Sequence, residues 1–333
     1  MMKNDFNRHL YPYALGLTFI FLPFNAHAFD LSPNVSRVVS DPSYLPSGGQ
    51  LFGSTEYSDS VINFNTNDTS GAQTSTTNTI SDTVIQVLEF GLTGDFTLRI
   101  ADSYQWSTST STAADGSISI TNSEGFVDPS FGIIWRVLDE QEHFFNWDLT
   151  GSYAPNFLNA QSADPTQNGT VARGGDTASF GTALSYKGED FTLYLSGSAT
   201  YLDNRSILNP GSNITVDYNS SWQYAFSLLT QTRVTDKWSV NLGLSRVYID
   251  NINGSFTTSN GALFTIGDQP GDVTTFIAAL NLQFAPNRFV MSIIYNYDSF
   301  DNGAFTNVTL PNNSTTTTGK GESVYGLEFR YVL

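Results

Sequence analysis

The chain has 333 residues, no cysteine, and 31 acidic against 14 basic residues, a formal charge of −17. That balance argues against nucleic acid as a partner, because a phosphate backbone recruits Lys and Arg, and the missing thiols exclude disulfides, thiolate ligands and cysteine nucleophiles. Mean hydropathy is −0.17, a value that suits a soluble protein and a membrane barrel alike, since a barrel strand is apolar on one face only.

Residues 1–28 read as an export signal. Lys3, Arg8 and His9 precede an apolar run from Leu10 to Phe24, and Ala26-His27-Ala28 supplies the small residues of a cleavage site. Pro12 and Pro23 interrupt the run, which is short for a membrane helix, so cleavage before Phe29 is expected. Loss of Lys3, Arg8 and Asp5 leaves 12 basic and 30 acidic residues, a formal charge of −18. Residues 29–48 hold Pro33, Pro42 and Pro46 with Val35, Val38 and Val39 between them, and fit either a periplasmic N-terminal segment or a small plug.

From 49 to 333 the chain is paced by five short polar connections: Thr93-Gly94-Asp95, Asp139 to His143, Lys187 to Asp190, Thr235-Asp236-Lys237, and Ala285 to Arg288. Their centres lie roughly 47 to 50 residues apart, the beat of hairpins joined alternately by tight turns and long loops. Six such units give about twelve strands, so the expected fold is all-β: a closed antiparallel transmembrane barrel with short periplasmic turns and long extracellular loops. Alternation supports it. Leu88, Phe90 and Leu92 share a face before the first turn, and Phe96, Leu98 and Ile100 after it. Phe131, Ile133 and Trp135 match Trp147, Leu149 and Tyr153; Phe180, Leu184 and Tyr186 match Phe191, Leu193 and Leu195. The pattern recurs from Trp222 to Leu244 and from Phe276 to Tyr297. These runs exceed the roughly five or six residues of a soluble sandwich strand and suit a tilted strand crossing a bilayer. The long connections, roughly 64–80, 107–124, 155–176, 203–217, 250–271 and 299–319, are rich in Ser, Thr, Asn, Asp and Gly. They read as disordered loops or as hairpins continuing above the membrane.

The closing run Val324-Tyr325-Gly326-Leu327-Glu328-Phe329-Arg330-Tyr331-Val332-Leu333 alternates to the carboxyl terminus. It resembles the last strand of Gram-negative outer-membrane β-barrels, with Leu333 where that signal has Phe. The resemblance implies recognition by the barrel-assembly machinery, residence in the bacterial outer membrane, and contact with its lipid and lipopolysaccharide. Gly125-Phe126-Val127-Asp128-Pro129, continuing to Trp135-Arg136 and followed by Tyr153-Ala154-Pro155, looks like a pattern of the transporter-like barrels annotated with the meta pathway of phenol degradation. Trp135 replaces that pattern's Tyr, and no Pro-Thr-Gly follows Pro155. This second resemblance implies passage of aromatic compounds.

No constellation for catalysis, metal or cofactor stands out. His143, the one histidine after the leader, sits in the second tight turn and reads as a solvated turn residue. Outer-membrane phospholipases and omptin-like proteases resemble the chain in size and architecture but need a histidine at the loop-bearing side. The candidate functional residues are charges on the polar face. The first turn sets Glu89 opposite Arg99, the second brings Arg136 near Asp148, and Glu328 and Arg330 point inward on the last strand. They either fill and rigidify the lumen or line a constriction. The expected function is non-enzymatic: passive passage of a small solute, cationic, neutral or aromatic, with the excess of acid favouring cations or neutral solutes at the mouth. A surface adhesin acting through its Ser/Thr-rich loops is the alternative, and an outer-membrane hydrolase a second.

Overall fold

The computed structural model describes residues 41–333 except 68–70, 141, 164, 166, 189, 210–213, 251, 258–262, 269–271, 286–287, 301–303 and 311–312. The expected leader, its cleavage site and residues 29–40 lie outside the described residues. Eighteen strands follow in order: β1 (Leu51–Asn67), β2 (Gln73–Gly91), β3 (Phe96–Ala113), β4 (Ile118–Phe126), β5 (Ser130–Leu138), β6 (Asn146–Ala154), β7 (Thr177–Lys187), β8 (Phe191–Leu202), β9 (Arg205–Asn209), β10 (Ile214–Tyr218), β11 (Ser221–Arg233), β12 (Trp238–Ile249), β13 (Ile252–Thr257), β14 (Leu263–Asp268), β15 (Val273–Ala285), β16 (Phe289–Phe300), β17 (Ala304–Leu310) and β18 (Asn313–Val332).

Twelve of these strands build a closed antiparallel barrel. Around the ring they run β1, β2, β3, β5, β6, β7, β8, β11, β12, β15, β16, β18. The ladder of β18 on β1, from Phe52↔Val332 to Asn67↔Thr316, closes it. Strand β4 continues β5 along the same neighbour, β3, with a break at 127–129 where Pro129 offers no backbone donor.

The remaining strands occupy stretches expected as loops. β9 and β10 form a hairpin within 203–217, β13 and β14 another within 250–271, and β17 pairs with the start of β18 within 299–319. β1, β2 and β3 also run on as one sheet over 64–67, 73–80 and 107–113. The Ser/Thr repeats tolerate this because Thr is β-branched and alternate hydroxyls meet across the ladder. Thr77 Oγ1 donates to Ser111 Oγ at 3.1 Å, and the Thr79 and Ser109 hydroxyls lie 2.8 Å apart.

Register is fixed at two of the tight turns by one repeated device. Thr93 Oγ1 accepts from the backbone N–H groups of Asp95 and Phe96 at 3.2 and 3.0 Å. Thr235 Oγ1 does the same for Lys237 and Trp238 at 3.2 and 3.1 Å. Such side-chain acceptors hold a turn in one conformation, and a one-residue slip would exchange the faces of both strands. The outer face therefore carries exposed Leu98, Ile100, Ile133, Trp135, Leu195, Leu228, Leu244, Phe276 and Ile293. Rings pair at its upper margin, as in Tyr201 with Trp222 and Phe226 with Tyr248.

Leu228 lies mid-strand on this face and Ala225 on the opposite one. Leu228→Arg is expected to cost about 2–4 kcal/mol, and Ala225→Arg less than about 1, because only the first puts a guanidinium into lipid. Denaturant-induced unfolding of protein folded into phospholipid vesicles measures both, and equal costs would contradict the facing.

Candidate functional site

The residues alternating with the lipid-facing set converge on a charged, hydrogen-bonded floor near the tight turns. Arg136 of β5 registers with Asp148 of β6. Its Nε donates to Asp148 Oδ1 at 2.8 Å and its Nη2 to Oδ2 at 3.0 Å, both side chains being buried. The two-pronged match satisfies both carboxylate oxygens, which an ion pair withdrawn from water requires. Glu89 of β2 registers with Arg99 of β3, but their closest atoms are 3.7 Å apart, beyond a hydrogen bond, and the Arg99 side chain is 47% exposed against 10% for Glu89. Arg330 Nη2 and Glu328 Oε2 of β18 meet at 2.9 Å. All six charges expected on the polar face thus lie on the face opposite the exposed apolar one, in three couples of unequal strength. On the next part of the ring Asn281 Nδ2 donates to Ser239 Oγ and Asn241 Oδ1, both at 3.0 Å.

The start of the described chain lies across this floor. Arg136 Nη2 also donates to the Ser43 carbonyl at 2.7 Å. Asp41 Oδ2 accepts from Thr192 Oγ1 of β8 at 3.4 Å and sits 3.6 Å from Lys187 Nζ of β7. On the far side of the ring the Tyr44 ring lies 5.2 Å from Phe52, tilted against it, and packs with Val290 and Val332, Val290 being fully buried. Gly91 is needed where the segment passes, since a Cβ there would lie 2.1 Å from the Ser47 carbonyl oxygen. Residues 41–47 therefore touch β5, β7 and β8 on one side and β1, β2, β16 and β18 on the other.

Above the floor the inner face is of two kinds. Along β5 to β8 it is a shelf of Ser130, Gly132, Thr150, Ser152, Ser179, Gly181, Ser196 and Ser198 around a cavity of about 390 Å³, into which Arg99 and Tyr194 also face. On the next strands of the ring, β11 to β16, it is apolar. Leu229, Gly243 and Ile277 follow one another across β11, β12 and β15, and Ala279 registers with Ile294 of β16. Ile85 and Val87 of β2 lie on the same inner face as Glu89. The expectation of a polar inner face is corrected here: its polar part is the floor and the shelf. The missed signal lies where period-two alternation lapses into continuous apolar runs, in Val84-Ile85, Leu228-Leu229, Phe276-Ile277-Ala278-Ala279-Leu280 and Ile293-Ile294. A strand apolar on both sides faces lipid with one and an apolar interior with the other.

On the loop side, the described residues among 155–176 form a strap from β4 to β9, bridging Ser123 to Gly169 and Gln161 to Leu208. Asp128 and Tyr153 hold its two ends. Asp128 Oδ1 accepts from the Phe157 and Leu158 N–H groups, both at 2.8 Å, while the Tyr153 hydroxyl bonds the Asp176 carboxylate. Arg173 ties the return with Nη1 donating to the Asp176 carbonyl at 3.0 Å and to Thr177 Oγ1 at 2.8 Å. Burial, then the neighbouring Arg205, pushes the Arg173 guanidinium down to about 10. The hydrogen bond from Tyr153, then that from the Asn156 N–H, holds the Asp176 carboxyl below its ordinary value. His143 lies in the turn at the other end, exposed, and no metal-ligating cluster occurs among the described residues.

An outer-membrane channel from Pseudomonas putida F1 superposes with a TM-score of 0.57 at 15% identity, covering 91% of this chain and 100% of that one. The transport unit of the autotransporter AIDA-I from Escherichia coli gives 0.51 at 11%, covering 96% and 97%. A mutant of the TodX monoaromatic hydrocarbon channel gives 0.44 at 10%, covering 88% and 93%. No model of a known protein family matches the chain, and no curated protein is significantly similar to it. The first two likenesses show the fold: the chain has the closed antiparallel barrel architecture of bacterial outer-membrane proteins. A channel and an autotransporter unit share that fold, so fold alone does not choose between functions.

Asp148→Ala is expected to destabilise by about 3–5 kcal/mol, because it strands a buried guanidinium that loses two hydrogen bonds, whereas Arg99→Ala should cost less, because its pair with Glu89 is 3.7 Å long and makes no hydrogen bond. Equilibrium unfolding in detergent measures both. A carboxyl with a lowered folded-state pKa stabilises above its unfolded value and loses that contribution as pH falls through the folded one. The Asp176 anchor should therefore hold at about pH 5 and be lost only below the usual carboxylate range of about 4. Hydrogen exchange at the Asn156 amide across this range follows it, and Asp176→Asn should remove the pH dependence.

Proposed function

We propose that the barrel is a non-enzymatic conduit for a small, largely apolar solute, aromatic compounds included, across the outer membrane. The observation that carries the reading is the inner apolar stripe of Leu229, Ile277 and Ile294 on β11, β15 and β16, with Ile85 and Val87 inward on β2, beside a shelf of Ser, Thr and Gly. A lumen for salts and sugars gains nothing from exposing such residues to water, whereas a solute with an apolar body recovers their burial at about 25 cal/mol per Å². The likeness to an outer-membrane channel supports this reading. Among the three couples Arg99 is the charged side chain most open to the inner space, while the register also turns Glu56 inward beside Glu328 and Ile85, so net charge alone does not choose the solute. Residues 41–47 act as a small plug at rest, held by Arg136, Lys187 and Thr192. The charges beneath the stripe anchor that plug and rigidify the wall.

The test is flux of a neutral aromatic alcohol into liposomes carrying the full-length protein. Wild type should exceed protein-free liposomes, Ile277→Asp with Ile294→Asp should bring flux close to background, and no excess for wild type would reject the conduit. Conductance examines the plug separately. Replacing Pro42, Ser43, Tyr44 and Leu45 with glycine and serine should raise single-channel conductance by about threefold or more, since it removes the groups crossing the floor. An unchanged conductance would mean that the segment does not close the pore. Deletion of the hairpins above the wall should leave flux intact.

A further inference from the structure

We propose that the inner cavity binds an amphipathic organic anion, a carboxylate on a flat apolar body, with Arg99 as the specificity-determining contact for its head. This rests on the conduit reading and names the solute class for it.

The first ground is which charge faces the space. Glu89, Arg136, Asp148 and Glu328 have side chains no more than about a tenth exposed, and Arg330 is 23% exposed, whereas Arg99 is 47% exposed and lines the cavity. The second is that its donors are not consumed. Glu89 is the one carboxylate within ion-pair range of Arg99 among the described residues, and at 3.7 Å it contributes attraction without a hydrogen bond. A guanidinium with free edges takes a carboxylate through two parallel N–H···O bonds, geometry that an ammonium cannot reproduce.

The third is shape. Gly132 registers directly with Arg99, and Gly181 sits two strands further along the same shelf. A Cβ on Gly132 would lie 3.2 Å from the Gly151 carbonyl oxygen, and one on Gly181 would lie 2.6 Å from Thr150 Oγ1. The wall beside the cation is thus flat and bare, suited to a ring lying against it. The hydroxyls nearby are partly engaged with each other, Ser196 with Ser227 at 2.6 Å and Ser179 with Thr200 at 2.8 Å, which lowers their hunger for water. The Tyr194 ring closes one side. At about 390 Å³ the cavity holds a one-ring acid, within the usual range for small-ligand sites. An alkylammonium of the same shape would meet Arg99 as a like charge, and a neutral alcohol would leave its donors half used.

Benzoate is the probe, titrated into the full-length protein in detergent and read by the carboxyl ¹³C resonance. Wild type should saturate, Arg99→Gln should weaken binding by about tenfold or more, and Arg99→Lys should fall between, losing the two-pronged geometry but keeping the charge. Non-saturable binding by wild type, or binding unchanged in Arg99→Gln, overturns the proposal. Should Arg99→Gln fail to fold, Ser152→Leu fills the cavity while leaving Arg99 and Glu89 in place. It should lose benzoate binding, and retention would equally overturn the proposal. Benzyl alcohol flux separates the two readings: flux without benzoate binding keeps the conduit and rejects the anion site, whereas binding without flux keeps the site and rejects the conduit.

Discussion

The β1–β18 ladder is the constraint from which the rest follows. A sheet in lipid leaves its edge N–H and C=O groups without water, at a cost of several kcal/mol each, so it must close. Here the first and last barrel strands pair over the length of β1, from Phe52↔Val332 to Asn67↔Thr316. Once closed, the pleat sends alternate residues to lipid and to the interior, and no side chain is free to choose. Charges such as Arg136 and Glu328 then have one place to go, and their partners are whichever residues the register sets beside them.

That geometry explains why the interior is layered. At the tight-turn end, strands converge on short connections and the chain preceding β1 must also be accommodated. Buried couples with complete hydrogen bonding, Arg136 with Asp148 above all, supply a rigid floor for it. Higher up, small residues on β5 to β8 and larger aliphatic ones on β11 to β16 leave unequal space across the ring, and the open volume lies against the small side. The strap held by Asp128 and Tyr153 spans the same side of the mouth. Exposed charge, flat wall and overlying strap thus fall in one sector.

Much of this was readable from sequence because it is local. Thr93-Gly94-Asp95 is short enough to force Glu89 opposite Arg99, and the spacing of five such turns carries the strand number. The continuation of β1 to β3 into the Ser/Thr repeats was undecided, since Thr and Ser at those positions gain a ladder only from neighbouring strands. The inner stripe was overlooked because the exposed partners of Ile277 and Ile294, namely Phe276 and Ile293, satisfy the alternation rule by themselves. The contacts of Asp41 and Ser43 join residues more than ninety positions apart, and no periodicity announces them. Asp128 and Tyr153, which belong to the motif that carries the second resemblance, both hold the strap.

The account turns on whether an apolar solute resides inside the barrel. Photolabelling with a diazirine-bearing neutral aromatic compound, followed by peptide mapping of the full-length protein in liposomes, reports this directly. Labels on Leu229, Ile277 and Ile294, suppressed by an excess of unlabelled solute, are the predicted result. Labels confined to the lipid-facing Leu228, Phe276 and Ile293, with no competition, would contradict it.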